Sequence, residues 1–178
     1  HSEMPTQDSA GLHGFQLWVN LPAVEKLAAP RYRDIEGAAL PRLSGDGFEA
    51  ALLAGDWRLG GASGSGALEE LTPQAALADL ILTPGASVTV ASEAGENLVA
   101  YVYEGALAGI GPGGVSRGHL LVAAGDGDWT AEAGPAGAGL LLLRGRPLRE
   151  PVVHYGPFVM NTREEIEQAL AEYRDGAF

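Results

Sequence analysis

The sequence Leu98-Val99-Ala100-Tyr101-Val102-Tyr103 is rich in β-branched and aromatic residues, a composition typical of a β-strand. Shortly before it, Ser87-Val88-Thr89-Val90 alternates polar and apolar side chains, the pattern of a strand with one buried face. The turn signal Thr83-Pro84-Gly85 precedes both segments, and Glu104-Gly105 follows them. The middle of the chain is therefore predicted to consist of short strands joined by turns.

Similar short apolar runs recur on both sides of this region. Further strands are predicted over residues 48–54, 77–82, 119–123 and 139–143, whereas the Gly- and Ser-rich residues 60–66 are predicted to form a flexible loop. The chain has 178 residues, of which 26 are Gly and 11 are Pro, so many turns are expected. Short strands spaced by roughly 10–20 residues indicate an all-β sandwich or barrel.

The N-terminal part of the chain has a different pattern. Residues 15–21 are rich in β-formers and predict a strand with one buried face and one partly covered face. Pro22 ends it, and no period dominates in residues 22–42, which contain three prolines. This stretch is predicted to be a connector with a short helical turn around Ala23 to Leu27.

One α-helix is predicted near the C-terminus, over about residues 162–175. Thr162 and Glu165 have the spacing of a capping box, in which each side chain bonds a backbone N–H at the helix start. One apolar stripe at helical spacing follows and consists of Ile166, Ala169, Leu170 and Tyr173. Gly176 is placed to end the helix. A helix with one apolar stripe is expected to act as a lid packed on the barrel.

Composition restricts the possible partners. Acidic residues outnumber basic ones 23 to 11, giving a net charge of −12, and this charge disfavours direct nucleic-acid binding. The chain has no cysteine, which excludes disulfides and iron–sulfur ligation and fits a reducing cytoplasm. The longest apolar run, residues 137–143, is far shorter than the roughly 18 residues of a membrane-spanning helix. The abrupt start without Met suggests a fragment.

His1 and Glu3 are the candidate metal ligands. On a strand, residues i and i+2 share a face, so one imidazole nitrogen and one carboxylate would project together. That donor pair suits a first-row metal such as iron or manganese. The alternative is that both side chains are solvated, since chain termini are usually exposed and frayed.

The other histidines are His13, His119 and His154, and none forms a His-x-His pair. Each is expected to be a structural or surface residue. A catalytic metal needs at least three protein ligands, so the visible sequence lacks a complete site.

Three segments resemble the pirin family of two-domain cupin proteins, in the same order and with the same spacing. They are His1-Ser2-Glu3-Met4-Pro5, the stretch Gly14-Phe15-Gln16-Leu17-Trp18-Val19-Asn20-Leu21-Pro22, and residues 147–162 with Glu150-Pro151-Val152-Val153-His154-Tyr155-Gly156-Pro157 at their centre. The resemblance implies a double-stranded β-helix, or jelly-roll, cupin barrel with a C-terminal α-helix. Residues 1–35 would be the end of an N-terminal cupin barrel plus a linker, and residues 36–178 the C-terminal cupin domain.

The resemblance also implies where a metal would bind. The first barrel of the family holds Fe²⁺ through a His-x-His pair and a later His and Glu in a His-Ser-Glu context, which His1 and Glu3 match. The His-x-His segment is absent from this chain. The region Glu93–Tyr101, where a cupin places its first histidines, contains none, as expected for the second barrel of the family. The barrel present is therefore expected to be non-catalytic, and the fragment inactive.

Two functions remain open from the resemblance. The intact protein could be an iron-dependent quercetin 2,3-dioxygenase acting on a flavonol-like aromatic substrate in a bacterial cytoplasm. The alternative is a non-enzymatic regulatory cupin that acts through a protein partner. In either case, Phe15, Leu17 and Val19 are expected to expose an apolar edge through which the fragment could self-associate.

Overall fold

The fold was analysed in a computed structural model that describes residues 13–68, 75–111, 113–123 and 127–177. Twelve β-strands and one α-helix, α1 (Arg163–Asp175), lie in this part of the chain. The strands are β1 (Arg42–Gly45), β2 (Phe48–Ala54), β3 (Asp56–Leu59), β4 (Ala62–Ser65), β5 (Ala76–Leu82), β6 (Ser87–Val90), β7 (Asn97–Leu107), β8 (Val115–Ser116), β9 (Leu120–Ala123), β10 (Trp129–Gly145), β11 (Val153–Tyr155) and β12 (Phe158–Met160).

Ten of these strands form one antiparallel sheet that curls into a nearly closed barrel. Its order is β1-β2-β5-β10-β6-β3-β4, and β7 pairs with β10 and carries β8 and β9. Strand β10 joins the two halves, because Trp129–Glu132 pairs with β6 whereas Ala138–Arg144 pairs with β5. The pairing with β7 shifts register between Ala133 and Ala138. A bulge of this kind bends a strand and lets a sheet close on itself.

The bend of β10 has a local cause in the sequence. Pro135 lies in it and cannot donate a ladder hydrogen bond. Gly137 lies in it too, with a φ of 82° and a position where a Cβ would meet Leu82 O at 2.7 Å. A residue with a side chain would be strained there.

The barrel interior is apolar and follows the alternation of the strands. On β7 the side chains of Leu98, Ala100 and Val102 are buried, whereas Tyr101 and Tyr103 face outward and are half-buried. The largest fully buried side chains are Trp57, Leu52, Leu59, Leu80, Leu82, Leu107, Leu140, Leu142, Val90 and Val102. Burying each of the large aliphatic ones contributes about 1.5–3 kcal/mol. The core therefore holds the two halves of the sheet together.

The predicted C-terminal helix is confirmed, with one correction. Thr162 and Glu165 form the capping box, and Gly176 ends the helix in the left-handed conformation with a φ of 70°. The buried residues Ile166 and Ala169 face the β11–β12 hairpin, against which the helix packs. The helix is therefore a cover for this hairpin more than a lid on the main barrel. Tyr173 remains exposed at the edge, 5.9 Å from the Phe158 ring.

Two local predictions were wrong. Residues 60–66 are not a loop, because Gly60 and Gly61 make a tight turn with positive φ and Ala62–Ser65 then pairs with β3. Residues 15–21 form no strand, and residues 15–19 have exposed side chains, of which Phe15 contacts the outer face of the barrel. The helical turn is confirmed as a 3₁₀ turn over Ala23–Glu25.

The fold prediction of an all-β barrel with a C-terminal helix is confirmed. The division between residues 35 and 36, and the assignment of residues 1–35 to another barrel, remain predictions. In the part of the chain that is described, no helix is long and apolar enough to cross a membrane.

Candidate functional site

The two predicted metal ligands, His1 and Glu3, lie outside the described residues. Their role as a metal half-site therefore remains a prediction. The nearest described histidine in sequence is His13. Its ring centroid lies 6.2 Å from that of Tyr103 and 5.4 Å from that of Phe15, on the outer face of the barrel.

The remaining histidines lie on separate elements. His119 is exposed in the turn between β8 and β9, where its Nδ1 lies 2.9 Å from the Ser116 carbonyl oxygen. His154 is exposed on β11. Residues 13–68, 75–111, 113–123 and 127–177 contain no group of three or more His, Cys, Asp or Glu side chains that could hold a metal ion.

A cleft of about 400 Å³ lies at one end of the barrel, beside Glu93 in the turn after β6. Its lining is mostly polar and charged, in contrast to the apolar barrel interior. The lining residues are Asp56, Trp57, Arg58, Ser63, Gly64, Ser65, Glu93 and Arg144. These residues come from the β3–β4 hairpin, the turn after β6 and the end of β10.

Arg144 closes the barrel at this cleft. It continues the inward alternation of Leu140 and Leu142 on β10, and its side chain is only 10% exposed. The guanidinium lies over the Trp57 ring, with Cζ 5.2 Å from the ring centroid. Such a contact is a cation–π interaction. Arg144 therefore seals the apolar interior with a charged group.

The charge of Arg144 is balanced by several oxygen atoms. Nη1 lies 3.3 Å from Oε2 of Glu96, whose side chain is 9% exposed, and donates to the Ala91 carbonyl at 3.2 Å. Nη2 donates to the Asp56 carbonyl. The Nε–H is buried and has no hydrogen-bond partner among the described residues. The guanidinium thus brings together oxygen atoms of two chain segments, the start of β3 and the turn between β6 and β7.

The charged groups at this end of the barrel determine whether a metal ion could bind there. The carboxylates that line the cleft are Asp56 and Glu93, and the guanidinium groups of Arg58 and Arg144, which stay protonated in proteins, line it beside them. Two cations cannot share these ligands without strong repulsion. The described cleft therefore does not fit a metal while Arg144 is in place.

The rim of the cleft is polar and open. Ser65 Oγ donates to Asp56 Oδ1 at 2.6 Å, and Arg146 Nη2 lies 3.3 Å from Oε2 of Glu93 with both side chains exposed. Such surface pairs contribute little to stability. The cleft therefore presents acidic, basic and hydroxyl side chains, which suit contact with a polar molecule.

A second constellation lies on the outer face of the barrel, and we call it the aromatic platform: Asp79, Tyr101, Tyr103 and Gly139. Tyr103 reaches from β7 across β10 and donates its O–H to Asp79 Oδ1 on β5 at 2.6 Å. The ring lies over Gly139, where a Cβ would come within 2.7 Å of it. Burial, and then the bond and charge of Asp79, raise the pKa of Tyr103 well above its ordinary value.

The extended N-terminal segment packs on this platform. The Phe15 ring lies 5.7 Å from both the Tyr101 and the Tyr103 rings, and the contact with Tyr101 is edge-on. This geometry is favourable for aromatic pairs. Phe15 therefore contacts two rings of the platform while 46% of it remains exposed.

Neither Arg144 nor the aromatic platform was identified from sequence, although each has a signal there. Arg144 ends the run Leu140-Leu141-Leu142-Leu143 at the position that continues its inward face. The platform depends on contacts between strands. The role of Gly139 beneath the Tyr103 ring can be recognised only when the pairing of β10 with β7 and β5 is known.

Comparison with known proteins identifies the relatives of this chain. The family model of the pirin C-terminal cupin domain matches residues 77–178. A Pseudomonas aeruginosa protein provisionally named a quercetin 2,3-dioxygenase is 45% identical, over 99% of this chain and 62% of its own length. Human pirin is 36% identical over 98% of this chain and 60% of its own length. The chain thus spans about three fifths of the length of these curated relatives.

Two solved structures are similar in fold to this chain. A quercetin 2,3-dioxygenase from Acinetobacter baumannii matches with a TM-score of 0.77 and 29% identity, over 90% of this chain and 55% of that one. A Geobacillus kaustophilus protein matches with a TM-score of 0.62 and 23% identity, over 76% of this chain and 54% of that one. These comparisons confirm the predicted cupin fold.

Proposed function

Because the chain belongs to the pirin family, we propose that it is the C-terminal cupin portion of an iron-binding protein whose intact form is a quercetin 2,3-dioxygenase-type oxygenase. The observation that carries the proposal is the 45% identity with the Pseudomonas aeruginosa relative along nearly the whole chain. The likeness in fold to the Acinetobacter baumannii quercetin 2,3-dioxygenase supports it. The substrate would be a small flavonol-like aromatic molecule.

His1 and Glu3 are the residues of this chain that would hold the iron. Their donor set, one imidazole nitrogen and one carboxylate oxygen, fits a first-row metal. Bound iron would supply Lewis-acid and redox chemistry. Two donors are fewer than the three protein ligands that a catalytic metal usually has, so further ligands must come from elsewhere in the intact protein. Within the described residues, no group of three or more His, Cys, Asp or Glu side chains could serve as a substitute site.

The test is iron content and quercetin turnover in the protein at the full length of its relatives. We expect about one iron per chain and measurable turnover. His1→Ala and Glu3→Ala should each lower iron content by tenfold or more, because a ligand is lost. His154→Ala, which removes an exposed imidazole on β11, is the matched control and should retain iron. A full-length protein that binds no iron contradicts the proposal.

A second candidate, a protein-interaction cupin, is supported by exposed apolar side chains. Val24 is 90% exposed and Leu27 75% exposed, and Val152 of the C-terminal segment is 62% exposed. Exposed apolar side chains often mark an interaction site when they lie together on the surface. Binding of a protein partner that persists in the His1→Ala, Glu3→Ala double variant would support this candidate. Loss of that binding together with the metal would rule out docking by the second barrel alone.

A further inference from the structure

We propose that the cleft formed by the β3–β4 hairpin, the turn after β6 and the end of β10 binds a small zwitterion. The ligand carries a carboxylate and an ammonium group close together, as a free amino acid does. Arg58 binds the carboxylate, and Asp56 binds the ammonium group. Binding at this site needs neither a metal nor the proposed oxygenase function.

The cleft is open because the second strand of its hairpin is built of small residues. Strand β4 contains only alanine, serine and glycine, so no long side chain from it fills the space beside β3. In the register of the two strands, Asp56 lies opposite Ser65 and Arg58 lies opposite Ser63, and all four residues are exposed. The resulting volume of about 400 Å³ falls within the roughly 300–1,000 Å³ typical of small-molecule sites.

Two opposite charges line this cleft without an ionic partner. Among the described residues, the Arg58 side chain takes part in no hydrogen bond or ion pair. The Asp56 carboxylate accepts the Ser65 hydroxyl at 2.6 Å but is in no ion pair within the same part of the chain. The other charged lining residues, Glu93 and Arg144, each have an ionic partner. Asp56 and Arg58 are therefore the charges that a ligand can neutralise.

The spacing of these two charges suits a zwitterion. Asp56 and Arg58 are two residues apart on one face of β3, so their Cα atoms are separated by about 6.4–6.8 Å. An α-amino acid carries its ammonium and carboxylate groups on one carbon atom. A hydrogen bond of about 2.7–3.2 Å at each end bridges the remaining separation, so one small molecule contacts both side chains.

The strand that carries both charges is fixed before a ligand binds. Between them, Trp57 points into the core with 1% of its surface exposed, and its indole N–H donates to the Ala54 carbonyl at 3.0 Å. Arg144 donates to the Asp56 carbonyl from the other side of the cleft. A site held in place in this way loses less conformational entropy when it binds a ligand.

Electrostatics favours a zwitterion over a simple ion. The chain has a net charge of −12, which opposes the approach of an anion to Arg58. A simple cation is repelled by Arg58 and Arg144, whose guanidinium groups stay protonated and line the same cleft. A zwitterion has no net charge, and each of its groups lies beside an opposite charge. Ser63 and Glu93 can contact a polar substituent on its α-carbon.

Titration of the 178-residue chain with L-glutamine, followed in ¹H–¹⁵N correlation spectra, tests the site. We expect saturable shifts of the amides of residues 56–58 and 63–65, with a dissociation constant of roughly 0.1–10 mM. N-acetylglutamine lacks the ammonium group and glutaminamide lacks the α-carboxylate. Each should bind about tenfold more weakly, because one charge-assisted hydrogen bond is lost. Equal affinity for all three compounds, or no saturable shift of these amides up to about 100 mM glutamine, overturns the proposal.

Two variants assign the charges to their residues. Arg58→Gln should weaken glutamine binding about tenfold and remove the preference for glutamine over glutaminamide. Asp56→Asn should remove the preference for glutamine over N-acetylglutamine. Both residues are exposed, so amide shifts outside the cleft should show an unchanged fold. Arg163→Gln, which removes an exposed arginine on α1, is the matched control and should bind glutamine normally. Equal weakening in Arg58→Gln and Arg163→Gln contradicts a specific site.

Discussion

At the scale of single residues, Arg144 is the group on which one end of the barrel depends. Its guanidinium joins the β10 end to the start of β3 and to the turn after β6 through Glu96 and two backbone carbonyls, and it covers Trp57. A buried ion pair contributes little net stability against an apolar replacement, yet losing one partner alone is costly.

We therefore predict that Arg144→Ala destabilises the fold by about 3–5 kcal/mol, because Glu96 keeps a buried charge without its partner. Urea unfolding followed by tryptophan fluorescence measures this change. Arg163→Ala is the control, since its pair with Glu167 is 83% and 67% exposed and should contribute less than about 0.5 kcal/mol. A loss below about 1 kcal/mol in Arg144→Ala would show that the pair does not hold the barrel end.

At the scale of elements, the start of α1 depends on an ionised carboxylate. Glu165 Oε2 accepts hydrogen bonds from the backbone N–H groups of Asn161 at 2.9 Å and Thr162 at 2.8 Å. These bonds lower the pKa of Glu165 below the ordinary value of 4.5, and the bond from Asn161 has the largest effect. Because the pKa of Glu165 is lower in the folded state than in the unfolded state, its stabilisation of the fold is complete at pH values above the unfolded-state pKa. This stabilisation is lost as the pH falls through the folded-state pKa.

The prediction is that the N-terminal turn of α1 loosens as the pH falls below about 4.5. In NMR spectra, the amide shifts of Asn161 and Thr162 should titrate together with a midpoint below that value. Glu165→Gln keeps an acceptor at the same position and should remove this titration. A midpoint at or above the ordinary value would contradict the capping role of the ionised carboxylate.

Elements were predicted correctly where neighbouring residues in the sequence define them, and they were missed where pairing with a distant strand does. Strands β2 and β6 have the predicted bounds, because turn residues flank their short apolar runs. The β3–β4 hairpin was missed since its second strand, Ala62–Ser65, is built of small residues and is stabilised by pairing with β3. The first half of β10 was missed for a similar reason, because Pro135 and Gly137 argue for a turn unless the bulge is known.

The candidate sites could be predicted less completely than the fold. The pattern His1-Ser2-Glu3 identifies two possible ligands by resemblance, but it lies outside the described residues and stays a prediction. Arg144 and Tyr103 act through partners 48 and 24 residues away, Glu96 and Asp79. Contacts over such separations become visible only when strand order and register are known.

At the scale of the whole molecule, the described chain combines a closed apolar core with an exposed apolar flank. The barrel buries its large side chains, whereas the segment from Leu17 to Leu27 and part of the C-terminal hairpin do not. Phe15, which precedes this segment in the predicted self-association edge, is 46% exposed although its ring also contacts the aromatic platform. The exposed side chains of this flank are Leu17, Trp18, Val19, Val24, Leu27, Val152 and Tyr155.

We predict that the isolated 178-residue chain self-associates weakly through this flank. Exposed apolar side chains favour association, but a small interface should give a dissociation constant of only roughly 10–1000 µM. Sedimentation velocity over a concentration series measures it. The Trp18→Ser, Val24→Ser double variant should shift the chain to monomer, because Trp18 is 68% and Val24 90% exposed.

The control for this prediction is Val122→Ser, which removes a valine that is 60% exposed on β9 instead of on the flank. If both variants reduce association equally, general surface hydrophobicity is the cause and the flank has no special role. A chain that stays monomeric at millimolar concentration would contradict self-association through this flank.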